Sequence, residues 1–232
     1  GIVFKTFVSI IFIFMLFGYF LQKTGVGEFL VDLSFALAGK FRGGPAKVAV
    51  IASAVLGSIN GNSVANVATT GSITIPLMKR TGYKPEFAGG VEAAASTGGQ
   101  ILPPVMGAGA FIMAEFLSIS YQTVIIAALV PAILYFLAIF LIVDLEAVKD
   151  NLKGMTKIPS LLNVMKSAYL SIPILVLVYS LLIANLSVAR SGVYAIFSSI
   201  IISWFTKENR MGLKRVIDAI VQGTNGAIGI GA

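Results

Sequence analysis

No histidine and no cysteine occurs among the 232 residues. Their absence removes thiol catalysis, disulfides, histidine-ligated haem, a Ser-His-Asp triad and nearly every zinc or copper site. Charge is scarce too: 12% of the residues are charged, against about 25% in an ordinary soluble domain. Apolar residues fill the space, at 57% of the chain and a mean hydropathy of +0.93. Long apolar runs of this kind define an integral membrane protein whose solvent is the lipid bilayer. The net charge of +7 reads as the basic loops of the positive-inside rule, and no nucleic-acid surface is implied. Glycine and proline are in surplus, at 24 and 8, more backbone freedom than plain spanning helices use. The chain starts at Gly1 and stops in a Gly-rich run, so both ends are expected to be cuts in a longer polypeptide. The first apolar stretch is too long for a signal peptide and lacks a small-residue cleavage site.

The pattern predicts an all-α polytopic membrane protein in four stretches. Residues 1–45 hold a spanning helix (Ile2–Leu21) and an amphipathic arm, Val26–Phe41. In that arm Phe29, Leu30, Leu33, Leu37 and Phe41 recur at helical spacing against Glu28, Asp32 and Lys40. Residues 46–120 hold two short apolar segments, Ala46–Ile59 and Val64–Met78, around the polar Gly57-Ser-Ile-Asn-Gly-Asn-Ser63. The first would rise only about 21 Å as a helix, less than the roughly 30 Å of a hydrocarbon core. With Lys47 at one end and Lys79 at the other, a re-entrant helical hairpin over 46–79 is expected. A discontinuous helix over 85–117 follows, broken at Gly98-Gly-Gln-Ile-Leu-Pro-Pro104; unwound backbone at such depth must be buried in protein or line a polar cavity. Residues 121–210 read as spanning helices, with Trp204 at a membrane boundary. Residues 211–232 read as a second amphipathic helix over 212–222, then the start of a second hairpin, cut short. That order hints at the inverted-repeat plan of secondary transporters. The bias of Lys and Arg puts the hairpin opening and most basic loops, including Lys40, Arg42, Lys79, Arg80, Lys149, Lys207 and Arg215, on the cytoplasmic side.

The two breaks form the candidate site. The hairpin tip offers Ser58, Asn60, Asn62, Ser63 and Asn66, with Thr69 and Thr70 further on; the helix break offers Gly98, Gly99, Gln100, Pro103 and Pro104. These are neutral hydroxyl, amide and carbonyl oxygens, suited to a loosely held alkali cation. The exposed half-helix N-termini would favour an anionic carboxylate. For Gly107, Ala108, Gly109 and Ala110 close helix packing is the expected role. Glu92 admits two readings: a proton or cation site within the first half of the broken helix, or a boundary residue paired to Lys84 or a neighbouring chain. Glu115 is placed at the outer boundary, and Asp144, Glu146 and Asp150 in a solvated loop. The Phe-rich first span (Phe4, Phe7, Phe12, Phe14, Phe17, Phe20) is expected to face lipid or another subunit.

The stretch from Gly57 to Met78, continuing through Lys79-Arg-Thr-Gly-Tyr-Lys-Pro85, resembles the large membrane subunit of TRAP (tripartite ATP-independent periplasmic) transporters. So does Val91-Glu-Ala-Ala-Ala-Ser-Thr-Gly-Gly-Gln-Ile-Leu-Pro-Pro-Val-Met106, and both look most like the fused permeases of the TAXI type. The close likeness covers roughly residues 40–115, the N-terminal half of a transport region. It implies an elevator-type, Na⁺-coupled symporter in a bacterial inner membrane that imports C4-dicarboxylate-like organic anions. Its implied partners are a periplasmic solute-binding protein and small-subunit helices, fused or separate; the coupling ion is Na⁺, with no organic cofactor and no other metal. By the same likeness Ser58, Asn60, Asn62, Gly98, Gly99 and Gln100 would hold Na⁺. Ser63, Asn66, Thr69, Thr70, Pro103 and Pro104 would face the substrate. The alternatives are a channel-like pore lined by the two breaks and a non-transporting scaffold. An enzyme is not expected, because without His or Cys few groups remain for acid–base work.

Overall fold

In the computed structural model the described residues are 7–205 and 209–231, and every regular element among them is helical. A π-helical turn, Phe7–Ile11, leads into α1 (Phe12–Lys23). Then come α2 (Val26–Ala38), α3 (Gly44–Asn60), α4 (Ser63–Arg80), α5 (Pro85–Gly98), α6 (Ala108–Leu117) and α7 (Tyr121–Lys149). The rest are α8 (Leu161–Met165), α9 (Ile172–Val178), α10 (Val188–Ser203) and α11 (Leu213–Gly231). Among the described residues α7 is the one helix long and apolar enough to cross a membrane, and most of its surface is exposed. The chain packs as two compact units that interleave along the sequence. One contains residues 28–107 and 127–167; the other contains the described residues before 28, then 108–126 and those from 168 onward.

The first unit carries the hairpin. Its core is built from Ala46, Ala49 and Val50 of α3, Met78 of α4, and Ala88, Val91 and Ala95 of α5. Ile139, Val143 and Ala147 of α7 close it. Alanine at the contacts lets helix backbones approach closely. The starts and stops of the helices are legible in local chemistry. Pro45 sits in the first turn of α3 and Gly61, with φ +61°, ends it by donating its N–H to the Gly57 carbonyl at 2.9 Å. The Asn62 side chain then caps α4, accepting from the Ala65 N–H at 3.1 Å. A two-residue connection, Gly61-Asn62, thus turns α3 back onto α4. At the other end Lys47 donates to Asp144 at 2.6 Å and Arg42 to the same carboxylate at 2.7 Å. Tyr83 donates to the Gly43 carbonyl at 3.3 Å, and burial pushes its phenol up to about 12.

In the other unit α1 is an internal helix. Phe14, Phe17 and Phe20 are all buried, Phe17 completely, so these three do not face lipid as expected from the sequence. Phe14 meets the Phe111 ring at 4.9 Å between centroids, and Phe111 stacks on Tyr121 at 4.4 Å. Phe20 packs with Met211 and Ala219. Phe4 lies outside the described residues. Trp204 ends α10 exposed, its indole donating to the Met211 carbonyl at 3.1 Å. The Gly-rich run after Gln222 also departs from expectation. It continues α11 without interruption to Gly231, so no second hairpin begins among the described residues. The cause is packing: a Cβ at Gly223 would lie 2.7 Å from Leu16 Cδ2, and one at Gly226 would lie 2.6 Å from the Tyr19 hydroxyl. These glycines are the flat face on which α1 rests.

Candidate functional site

The hairpin tip and the helix break are stitched together by backbone. α5 ends at Gly98 and α6 begins at Ala108, so the break is longer than its predicted 98–104. Within it the chain makes tight turns: Gln100 N–H donates to Thr97 O at 3.1 Å, Ile101 to Gly98 O at 3.1 Å and Leu102 to Gly99 O at 3.3 Å. Gly107 N–H closes the loop onto the Gln100 carbonyl at 2.7 Å. The Ser58 carbonyl, in the last turn of α3, accepts from both Val105 N–H at 3.0 Å and Met106 N–H at 3.3 Å. α3 runs as regular helix to Asn60, so the polar run ends it at Gly61-Asn62 and also supplies the cross-link through Ser58.

Glycine makes the approach possible. A Cβ on Gly57 would come within 2.7 Å of Gly99 Cα, and one on Gly99 within 2.5 Å of Gly57 Cα. The two backbones therefore touch with no room for a side chain. Gly98 fits against the ring of Tyr135, whose Cε1 would sit 2.3 Å from a Cβ there. The close-packing role holds at Gly107, where a Cβ would lie 3.2 Å from Gln100 Cβ, and extends to Gly57, Gly98 and Gly99; Gly109 has nothing within 4 Å.

The structure distributes the candidate residues unevenly. Ser58 is buried with its hydroxyl on the Val55 carbonyl. Asn60, Asn62, Ser63, Gln100, Pro103 and Pro104 are half-buried around the tip and break. Thr69 is exposed, its hydroxyl bonded back to the Ala65 carbonyl at 2.8 Å. Asn66 and Thr70 are fully buried where α4 meets α3 and α5. Asn66 donates to the Ser53 carbonyl at 2.8 Å. Among the described residues two buried side-chain atoms lack partners: the donor Nδ2 of Asn60 and the acceptor Oδ1 of Asn66. A buried amide atom without a partner costs about 1–3 kcal/mol, so it is a place where a polar guest gains the most.

A second constellation lies deeper, around Glu92. This residue is completely buried on α5, away from any water boundary and not bonded to Lys84, so the boundary reading is set aside. Its carboxyl meets four hydroxyls: Ser53 at 2.7 Å, Ser96 at 3.2 Å, and Thr70 and Thr74 in short contacts. The signal was present as two pairs of polar residues at i,i+4 in apolar helices, Thr70/Thr74 and Glu92/Ser96. Their convergence with Ser53 depends on how three helices pack, which spacing does not give.

Residues 3–232 match the family described as the tripartite ATP-independent periplasmic transporter, DctM component. Among curated proteins, the C4-dicarboxylate TRAP transporter large permease protein DctM of Pseudomonas aeruginosa is 33% identical over 145 residues, 62% of this chain and 34% of that protein. The protein of the same description from Vibrio cholerae is 32% identical over 139 residues, 60% of this chain and 30% of its own length. The 2,3-diketo-L-gulonate TRAP transporter large permease protein YiaN of Escherichia coli is 31% identical over 107 residues, 46% and 25% of the two chains. The matched regions cover about a third or less of each of these relatives. All three are named as large permease proteins of TRAP transporters. With the family match running over nearly the whole sequence, the chain belongs to the DctM component family of tripartite ATP-independent periplasmic transporters.

Proposed function

We propose that this chain is the hairpin-bearing part of a Na⁺-coupled permease that imports organic anions, delivered by a periplasmic binding protein, across a bacterial inner membrane. Small-subunit helices complete the membrane complex. The observation that carries the reading is the stitched tip and break, with two unpartnered buried atoms of opposite hydrogen-bonding character, Asn60 Nδ2 and Asn66 Oδ1. Polar atoms left open at the tip and behind it give polar guests something to bind.

The donor set fits a hard, weakly held cation. The carbonyls of Gly98, Gly99 and Gln100 each take one backbone bond and keep a second lone pair. Ser58, Asn60 and Asn62 add hydroxyl and amide oxygens. Neutral oxygens of this kind bind an alkali ion without trapping it. Ser63, Thr69, Pro103 and Pro104 would border the anion, and Asn66 and Thr70 would act from behind the tip. The relatives named for C4-dicarboxylate and 2,3-diketo-L-gulonate make small carboxylates the first substrates to try. In this reading the hairpin is re-entrant from the cytoplasmic side and moves in an elevator-like alternation with α5.

The test uses the full-length permease with its binding protein in liposomes, offered radiolabelled small carboxylates under an inward Na⁺ gradient or an equal K⁺ gradient. Saturable uptake that needs Na⁺ is expected. Uptake indifferent to Na⁺ ends the coupling claim, and non-saturable flux supports a pore in its place.

A further inference from the structure

We infer that Glu92 is a reversible proton-binding site, its neutral form donating from Oε2 to the Thr74 hydroxyl. The cage shares Thr70 with the proposed transport site, but its bonding depends only on the packing of α3, α4 and α5. Glu92 is fully buried, and among the described residues no cation is paired with it. The charged groups on the three helices are engaged or remote: Lys47 of α3 is paired with Asp144, while Lys79 and Arg80 of α4 and Glu86 of α5 are exposed near the helix ends. The other elements of the unit present no charged group bonded to it. Asp144 is the contrast. With Lys47 and Arg42 both on its oxygens, that carboxylate is held ionised, whereas Glu92 has only hydroxyls. Leaving a lone carboxylate in a protein interior without a counter-ion is costly.

The contacts on the two oxygens are unequal. Oε1 is met by Ser53, Thr70 and Ser96, three hydroxyls each able to donate to it. Oε2 is met by Thr74 alone, so a proton there displaces a single donor. Thr74 has another acceptor in the Thr70 carbonyl at 3.0 Å, as Thr70 has in the Asn66 carbonyl at 2.8 Å. A hydroxyl has one proton and can accept as well as donate. In the neutral state, Oε2–H donates to Thr74 Oγ1 and the Thr74 proton goes to the Thr70 carbonyl. The five protons of Ser53, Thr70, Ser96, Thr74 and Glu92 itself then fill the three contacts to Oε1, the one at Oε2 and the one to the Thr70 carbonyl, while the Thr70 contacts to the Asn66 carbonyl and the Ser53 hydroxyl carry no proton. In the ionised state the Glu92 proton has left to water, and Thr74 rotates its own proton back onto Oε2. The Thr70 carbonyl loses only an accessory bond, since it also serves the helix ladder of α4. Four donors then face the carboxylate. Both charge states keep the carboxyl hydrogen-bonded without moving a heavy atom, and rotation of one hydroxyl converts the bonding of one into that of the other. The cage joins both arms of the hairpin to α5, and its charge changes by one unit as it does so.

Infrared difference spectroscopy between mildly acid and mildly alkaline pH tests this on the full-length permease in lipid nanodiscs. The expected result is a carboxylic-acid carbonyl band, shifted by D₂O, that fades as pH rises and is missing in Glu92→Gln, a near-isosteric change. Thr74→Val keeps Glu92 but removes the group that takes its proton, so the band should move to higher frequency; Thr74→Ser should restore it. No difference between wild type and Glu92→Gln at any pH overturns the proposal. So does a carboxylate band that answers to added NaCl at fixed pH and not to pH, which would make the cage a cation site. A band unmoved in Thr74→Val overturns the placement of the proton on Oε2.

Discussion

Replacing Gly99 by alanine isolates the contact on which the tip and break depend. The added Cβ would lie 2.5 Å from Gly57 Cα, 2.8 Å from Gly57 C and 3.3 Å from the Ser53 carbonyl oxygen. All three are backbone atoms of α3, so no side chain can swing away and the helix itself must retreat. Forced overpacking of this kind costs about 1–3 kcal/mol. Gly90→Ala on α5 is the control: Gly90 has nothing within 4 Å, and alanine in an exposed helix interior should gain roughly 0.5–1 kcal/mol. The two substitutions add the same methyl group to neighbouring stretches of one unit, yet should move stability in opposite directions. At about 2–4 °C per kcal/mol for a chain of this size, they should separate by several degrees in thermal unfolding of the full-length protein in detergent. Gly57→Ala should resemble Gly99→Ala, and the double variant should lose less than the sum, because the first methyl already parts the two backbones. If Gly99→Ala unfolds at the same temperature as Gly90→Ala, the backbones do not touch and the account of the site fails with them.

Phe17→Ala should cost about 3–5 kcal/mol, since its ring is completely buried; a thermal shift near zero would return the first helix to a lipid-facing role. Lys47→Ala should lower the unfolding temperature more than Arg42→Ala, because the Lys47 side chain is 8% exposed and that of Arg42 is 52% exposed. Equal shifts would mean that both pairs behave as surface ion pairs. Asn60→Ala and Gln100→Ala should each raise the Na⁺ concentration for half-maximal uptake in the reconstituted complex; Na⁺ dependence unchanged in both removes them from the ion site.

Local backbone chemistry made much of this fold legible in the sequence. Gly61 and Asn62 mark the turn because one needs a left-handed φ and the other can cap a helix with its side chain. Gly98 to Pro104 marks a break because neither glycine nor proline sustains a helix cheaply. The same reasoning overreached at both edges. Gly57 and the glycines beyond Gln222 lie inside helices, because a neighbouring backbone or side chain needs the space more than the helix needs a Cβ. The Phe stripe of α1 does not reveal its covering in the sequence, because an apolar helix face looks alike whether lipid or protein covers it. Glu92 was left between two readings for a related reason. Whether an acid sits in water or among hydroxyls is decided by residues 39 positions away, such as Ser53, and by no property of its own segment.

The bonds from Val105 and Met106 to the Ser58 carbonyl have a mechanical consequence. A gate hinged at Gly61 and Asn62 would have to shear both bonds and drag Gly57 off Gly99 before it moved at all. Tip and break are therefore a single rigid part, like two boards glued along an edge. Whatever opens the site must swing that whole part, and the bending must occur somewhere other than at the tip.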